Sequence, residues 1–198
     1  MTKPFCYLKN IPFFLKEWRH LITDFDKQQS YHDQKALLLE DITRNFFLKN
    51  NLIPYFGLLW SWPKESTMTY HVDAAINDKG VVHVNDYSSI NFLLDGDGAV
   101  TEFVSIENST EIGKIQYSNI MNLPYRKFED TEPDYKSYIS YDNPLMINTQ
   151  IPHRVNTKGI TNTRWSYSLR FGNKENNVFR KVRFEELKLL LSEYILEE

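Results

Sequence analysis

The sequence of 198 residues contains little cysteine, glycine or proline and no long apolar run. Its one cysteine, Cys6, excludes an intrachain disulfide and a cysteine-rich zinc site, and indicates a reducing compartment. The most apolar stretch, residues 52–62, is interrupted by Pro54 and Gly57 and is far shorter than the roughly 20 residues of a membrane-spanning helix. The N-terminus also lacks the apolar centre of a signal peptide. We therefore expect a cytoplasmic protein with no membrane association.

The chain also lacks an excess of basic residues, since its net charge is -3 and its pI is about 6.0. This balance disfavours a broad electrostatic nucleic-acid binder, because such proteins need a cationic surface. Aromatic residues make up 15% of the chain, with 7 glycines and 8 prolines, which argues against disorder. The length favours a single domain, residues 1–198, with a substantial core.

Helical spacing of apolar residues occurs near both ends of the chain. The spacing predicts an amphipathic helix over residues 13–25 and a second one over 37–47, which stops at Asn50 and Asn51. A third helix is predicted over residues 184–196, with its apolar stripe facing the core. We therefore expect a helical N-terminal part over about residues 1–65 and a C-terminal helix over about 178–198.

From about Met68 the period changes to short β-rich runs separated by turn signals at residues 77–80, 95–98 and 142–144. The signal at 95–98 lies between two such runs and predicts a β-hairpin. Apolar and polar residues alternate over 164–171, which predicts a strand with one apolar face and one polar face. Residues 107–141 are expected to form long loops around short strands. The pattern predicts a mainly β protein with flanking helices, with a sandwich or barrel over about 66–172.

Two histidines and one aspartate form a possible metal site. His71 and Asp73 are two residues apart, so on a strand both side chains leave the same face, with α-carbons about 6.5 to 7 Å apart. The third ligand would be His153, beside an apolar run. Two imidazoles and one carboxylate are the ligand set of non-haem Fe(II) centres with open positions. The same three ligands also suit catalytic zinc, so a zinc protein stays open as an alternative.

Arg164 and Ser166 lie on the polar face of the predicted strand. A guanidinium binds a carboxylate through a planar fork, and the neighbouring hydroxyl adds another donor. The pair is therefore suited to anchor the far end of a dicarboxylic acid whose other end binds the metal, as in a pocket for 2-oxoglutarate. The alternative is that this polar face lines a solvent-exposed strand edge.

Together, His71 and Asp73, His153, and Arg164 and Ser166 resemble the H-x-D…H…R-x-S signature of the Fe(II)- and 2-oxoglutarate-dependent oxygenases. The resemblance covers about residues 71–171. It implies a double-stranded β-helix, a jelly roll related to the cupins, with the N-terminal helices packed on one sheet. It also implies Fe(II) and 2-oxoglutarate as cofactors, and a dioxygenase that hydroxylates a small molecule, amino acid or peptide with succinate and CO2 as co-products.

Two other functions stay open at this point. Arg164 and Arg170 are six residues apart, which resembles the arginine pair of the AlkB-like nucleic-acid dealkylases, where the second arginine approaches the metal end of the cosubstrate. No matching base-recognition signature precedes the metal motif, so nucleic acid is disfavoured as a partner. The other alternative is a non-catalytic or zinc-binding jelly-roll module. His83 is the nearest competing ligand, and His20 and His32 are expected to be exposed helix residues.

Overall fold

The computed structural model of the chain describes residues 3–21, 28–73, 75–76, 82–83, 88–96, 99–112, 116–117 and 124–197. Within these residues strands predominate, and there are two α-helices, α1 (Asp41–Lys49) and α2 (Phe184–Leu190). The strands are β1 (Phe5–Tyr7), β2 (Gln29–Gln34), β3 (Ile53–Trp62), β4 (His71–Asp73), β5 (Ala75–Ile76), β6 (Val82–His83), β7 (Ser89–Asp95), β8 (Val100–Phe103), β9 (Gln116–Tyr117), β10 (Pro124–Lys127), β11 (Tyr135–Tyr138), β12 (Leu145–Ile147), β13 (His153–Asn156), β14 (Arg164–Glu175) and β15 (Val178–Lys181).

The strands form two large antiparallel sheets. The larger sheet has the order β1-β12-β7-β14-β3-β2, with β15 paired to the end of β14. The second sheet has the order β11-β8-β13-β4-β10-β9, and β5 pairs with β6 separately. The chain moves repeatedly from one sheet to the other, so that β3, β7, β12 and β14 lie in the larger sheet and β4, β8, β11 and β13 lie in the second. The prediction of a mainly β protein with flanking helices is confirmed.

The central strand β14 separates the main core from a polar interior. Its apolar row packs into a core cluster with Phe47 of α1 and with Phe184 and Leu187 of α2. The ring centroids of Phe47 and Phe171 lie 4.6 Å apart. The predicted strand and its two unlike faces are confirmed, and the apolar face lies against the helices. That row consists of Trp165, Tyr167, Leu169 and Phe171.

The helical N-terminal part predicted for residues 1–65 is mostly wrong. Strands β2 and β3 belong to the larger sheet. β3 has buried residues on both faces, so its sequence is mostly apolar and shows no alternation that would identify a strand. Residues 13–21 contain no α-helix, because their backbone bonds to the segment before α1, as in the 2.8 Å bond from Lys16 N to Leu38 O. Residues 22–27 of the predicted helix lie outside the described residues.

The predicted hairpin around residues 95–98 is also wrong. Strands β7 and β8 exist where the sequence predicted them, but they lie in different sheets and do not pair. Gly96 has a φ of +85°, and a Cβ there would lie 2.2 Å from the carbonyl oxygen of Thr163. Glycine therefore allows the chain to leave the larger sheet beside the start of β14. Residues 97–98, and the predicted turn at 77–80, lie outside the described residues.

The two α-helices are short. Helix α1 ends at Lys49, which confirms the predicted stop at Asn50. Helix α2 begins at Phe184 as predicted, but after Leu190 the chain continues into a 3-10 turn at residues 192–194. In the described part of the chain, every helix is too short or too polar to cross a bilayer.

Candidate metal centre

The structure brings His71, Asp73 and His153 together between the two sheets. His71 and Asp73 lie at the two ends of β4, and His153 begins β13, where it is the direct cross-strand partner of His71. The imidazole centroids lie 4.6 Å apart, and His71 Nε2 lies 3.7 Å from Asp73 Oδ1. One ligand atom from each residue lies within 4.8 Å of the other two. The three residues proposed from spacing are therefore close enough to bind one ion.

Backbone carbonyls orient both imidazoles. The Nδ1 atom of His71 lies 3.0 Å from Thr69 O, and that of His153 lies 2.9 Å from Ile151 O. Because a carbonyl oxygen only accepts, each Nδ1 carries the hydrogen and each neutral ring keeps its lone pair on Nε2. This is the arrangement that second-sphere hydrogen bonds impose on histidine ligands of metals.

Burial favours the neutral form of His153. Its side chain is buried between the sheets. Desolvation, with a smaller contribution from the neighbouring His71, lowers its pKa to about 4. At neutral pH His153 is therefore uncharged, which is the state that binds a metal without first releasing a proton.

Arg170 holds one oxygen of the Asp73 carboxylate. Its Nη2 donates to Asp73 Oδ2 at 2.6 Å, and its Nη1 donates to Ser168 Oγ at 2.7 Å. The other carboxylate oxygen, Oδ1, is the one that faces His71. Arg170 thus sets the orientation of the acid and balances its charge inside the protein.

A second arginine occupies the same interior without a counter-ion among the described residues. Arg164 is 2% exposed, and its Nε and Nη1 atoms have no hydrogen-bond partner in that part of the chain. Burial lowers its pKa to about 10. An unpaired buried guanidinium is costly, and an anionic ligand would remove the cost. The alternative that this strand face is an exposed edge is wrong.

Arg164 and the three metal-site residues line one cavity. Ser166, also buried, lies on the same face of β14, two residues along from Arg164. All five residues proposed from the sequence therefore line the same cavity. The remaining lining residues are Trp60, Trp62, Met68, Ser89, Asn91, Thr101, Ile147, Val155, Ser168 and Arg170.

The sequence interpretation missed the two tryptophans of this cavity. Trp60 and Trp62 lie on β3, opposite Ser166 and Arg164 in the strand register. Directly opposite residues of an antiparallel pair share a face, so a correct strand assignment would have placed both indoles beside the arginine. The apolar character of β3 on both faces concealed that signal.

The other histidines lie elsewhere. His32 is on strand β2, not on a helix, and its half-buried ring packs edge-on against Phe56 at 5.8 Å. His20 is exposed in a 3-10 turn. The side chain of His83 lies outside the described residues.

No protein-family model matches the sequence, and no curated protein is significantly similar to it. Among solved structures, HygX from Streptomyces hygroscopicus with nickel and 2-oxoglutarate bound is 12% identical, with a TM-score of 0.44 over 78% of this chain and 73% of HygX. A 2OG-Fe(II) oxygenase family oxidoreductase from Burkholderia pseudomallei is 13% identical, with a TM-score of 0.35 over 70% of this chain and 55% of that protein.

A protein that catalyses a different reaction also matches, with similar identity and a similar TM-score. Peruvianin-I, a cysteine peptidase from Thevetia peruviana latex, is 14% identical, with a TM-score of 0.37 over 90% of this chain and 94% of the peptidase. The description of the fold therefore rests on the strand pairing, and the description of the site rests on its side chains.

Proposed function

We propose that this protein is an Fe(II)- and 2-oxoglutarate-dependent dioxygenase that hydroxylates a small molecule, amino acid or peptide. One observation carries the proposal. A cluster of two histidines and one aspartate shares a buried cavity with Arg164, whose guanidinium has two nitrogens without a partner among the described residues. A metal ligand set together with an unpaired cation is suited to a cosubstrate with a chelating end and a carboxylate end.

His71, Asp73 and His153 would hold the iron. Their donor set, two imidazoles and one carboxylate, suits Fe(II) with positions left open for further ligands. When bound, iron would supply the chemistry in which dioxygen is the oxidant: one oxygen atom enters the substrate, and the other enters succinate as 2-oxoglutarate loses CO2. The protein contributes two imidazoles already in the required tautomer and a carboxylate oriented by Arg170.

Arg164 and Ser166 would bind the far carboxylate of 2-oxoglutarate. Both side chains are buried, so their hydrogen bonds to an anion would form away from competing water. The apolar lining residues Met68, Ile147 and Val155 would exclude water from the space between the anchor and the metal.

The strand order supports the fold that the resemblance implies. The larger sheet contains the run β12-β7-β14-β3, and the second contains β11-β8-β13-β4. Eight strands that alternate between two antiparallel sheets in this way are the pattern of a jelly roll. We propose that these eight strands form the double-stranded β-helix, with β4, β13 and β14 carrying the site residues.

The test is succinate formation from 2-oxoglutarate in the presence of Fe(II) and oxygen. The wild-type protein should form succinate only when iron is added, and His153→Ala should abolish the reaction. His32→Ala is the matched control, because it removes a half-buried strand histidine outside the cluster.

Other results would favour the alternatives. Protein that purifies with zinc and binds no 2-oxoglutarate would contradict the proposal and indicate a zinc-binding module. Turnover stimulated by methylated DNA or RNA, and by no small molecule or peptide, would indicate a dealkylase.

A further inference from the structure

Two tryptophans line the cavity at the end that contains Arg164. In the register of β3 and β14, Trp62 is the direct partner of Arg164, and Trp60 is the partner of Ser166. Their rings stack with centroids 5.7 Å apart and planes 25° apart. Trp62 is 3% exposed, although its side chain lines the cavity. The register therefore places the Arg164 and Trp62 side chains next to each other on the cavity face of the sheet.

The cavity is small, although many residues line it. Its volume is about 50 Å³. Its floor and walls are strands of the two sheets, which move little compared with loops. In a close-packed interior of this kind, a change in volume of one methylene group already alters the packing energy.

The two ends of the cavity are also held in place separately. At one end, His71 and His153 are cross-strand partners in the second sheet. At the other end, Arg164 belongs to the larger sheet, where Trp62 is its cross-strand partner. The distance available to a molecule that spans both ends is therefore set by the packing of the two sheets.

We propose that Trp62, supported by Trp60, makes the cavity select a five-carbon over a six-carbon 2-oxo dicarboxylic acid. The inference rests on the proposed function, because it assumes that such an acid binds between the metal and Arg164. A longer acid needs more space at the Arg164 end of the cavity, where the side chain of Trp62 forms part of the wall. A smaller residue at position 62 would open the required space.

The experiment measures the binding of 2-oxoglutarate and 2-oxoadipate to the full chain loaded with Mn(II), by calorimetry without oxygen. The wild-type protein should bind the five-carbon acid about tenfold or more tightly than the six-carbon acid, the usual discrimination for one methylene group. In Trp62→Leu this preference should fall at least about tenfold. Trp62→Phe should lie between the two, and it provides the measurement if Trp62→Leu fails to fold.

The matched control is Trp165→Leu. Trp165 is about as buried as Trp62. It directly follows Arg164 on β14, so its side chain lies on the opposite face, within the main core. Its loss should lower the unfolding temperature and leave the preference between the two acids unchanged.

Two results would overturn the inference. If the wild-type protein binds 2-oxoglutarate and the preference is the same in both Trp62 variants, Trp62 does not set the length and the proposed function still stands. If the wild-type protein binds neither acid, the proposed function fails and this inference fails with it.

Discussion

The two faces of β14 are buried to a similar extent, but one packs into the main core and the other lines the cavity. On one face, Tyr167 and Leu169 are fully buried in the main core. On the other face, Arg164 and Arg170 are 2% and 8% exposed, but they line the cavity beside the metal-site residues. Burial alone thus does not distinguish a residue that stabilises the fold from one that binds a ligand. The difference lies in Arg164, two of whose nitrogens have no hydrogen-bond partner among the described residues, whereas Arg170 on the same face is paired with Asp73 and Ser168.

On the apolar face, the buried hydroxyl of Tyr167 has its hydrogen-bond partner within the chain. The hydroxyl of Tyr167 donates to Asp33 Oδ2 at 2.6 Å, and the same carboxylate accepts the backbone N–H groups of Leu37 and Leu38. Gly57 is required beneath this tyrosine, since a Cβ there would lie 1.8 Å from the Tyr167 hydroxyl oxygen. This face stabilises the protein through contacts within the chain, whereas on the other face a buried guanidinium with two unpartnered nitrogens costs stability.

The largest expected effect on the cavity side comes from Asp73→Ala. Loss of the only carboxylate in the His71, Asp73 and His153 cluster should reduce the affinity for Fe(II) or Mn(II) by about 100-fold or more. Calorimetry or metal analysis of the purified protein measures this. His32→Ala should keep the wild-type affinity, and an unchanged affinity in Asp73→Ala would exclude these residues as the metal site.

On the apolar face the corresponding change is Leu169→Ala. Removal of this fully buried side chain should lower the free energy of unfolding by about 2 to 5 kcal/mol. Metal affinity should stay at the wild-type level, since Leu169 points away from the cavity. Denaturant titration measures the loss, with Leu189→Ala, a leucine that is 76% exposed, as the control with little effect. A large loss of metal affinity would show that the two faces are not independent.

Arg164→Met tests the cavity face of β14, and here the free energy of unfolding is expected to rise instead of fall. Replacing an unpaired buried cation with an apolar side chain should raise the free energy of unfolding by about 1 to 3 kcal/mol in the absence of ligand. The same variant should lose 2-oxoglutarate binding. Arg19→Met is the control, because Arg19 forms an exposed ion pair with Asp95 whose loss should change stability by less than about 1 kcal/mol. A destabilised Arg164→Met would mean that this arginine supports the fold.

The smallest effect, counted per pH unit, is a dependence of stability on pH in the metal-free protein. The pKa of His153 is lowered from 6.5 to about 4, so between these values the unfolded chain binds a proton that the folded chain does not. Stability should therefore fall as pH falls from about 6.5 to about 4, by at most about 1.4 kcal/mol per pH unit from this residue.

His71, Asp73 and Arg170 face His153 and contribute to its environment. His153→Leu should reduce the slope of unfolding free energy against pH in this range, and His32→Ala should keep it. An equal slope in wild type and His153→Leu would contradict the assignment of the effect to His153.

Local patterns predicted those parts of the molecule in which one face is apolar and the other polar. Strand β14 was predicted because its side chains alternate, and the face that carries Arg164 and Ser166 followed from the same pattern. Strand β3 was missed because both of its faces are buried. The helix expected over residues 13–25 did not form in its described part, because backbone hydrogen bonds to the segment before α1 replaced helical ones.

By itself the sequence determined the chemistry of the site: which side chains could bind a metal and which could bind a carboxylate. Spacing on one strand is enough for His71 and Asp73, because alternate residues share a face. Only the tertiary structure decided that His153 joins them, that Arg164 is buried with two nitrogens lacking a partner among the described residues, and that Trp62 is its cross-strand partner. These relations depend on the pairing and packing of strands far apart in the chain, which no local pattern of residues specifies.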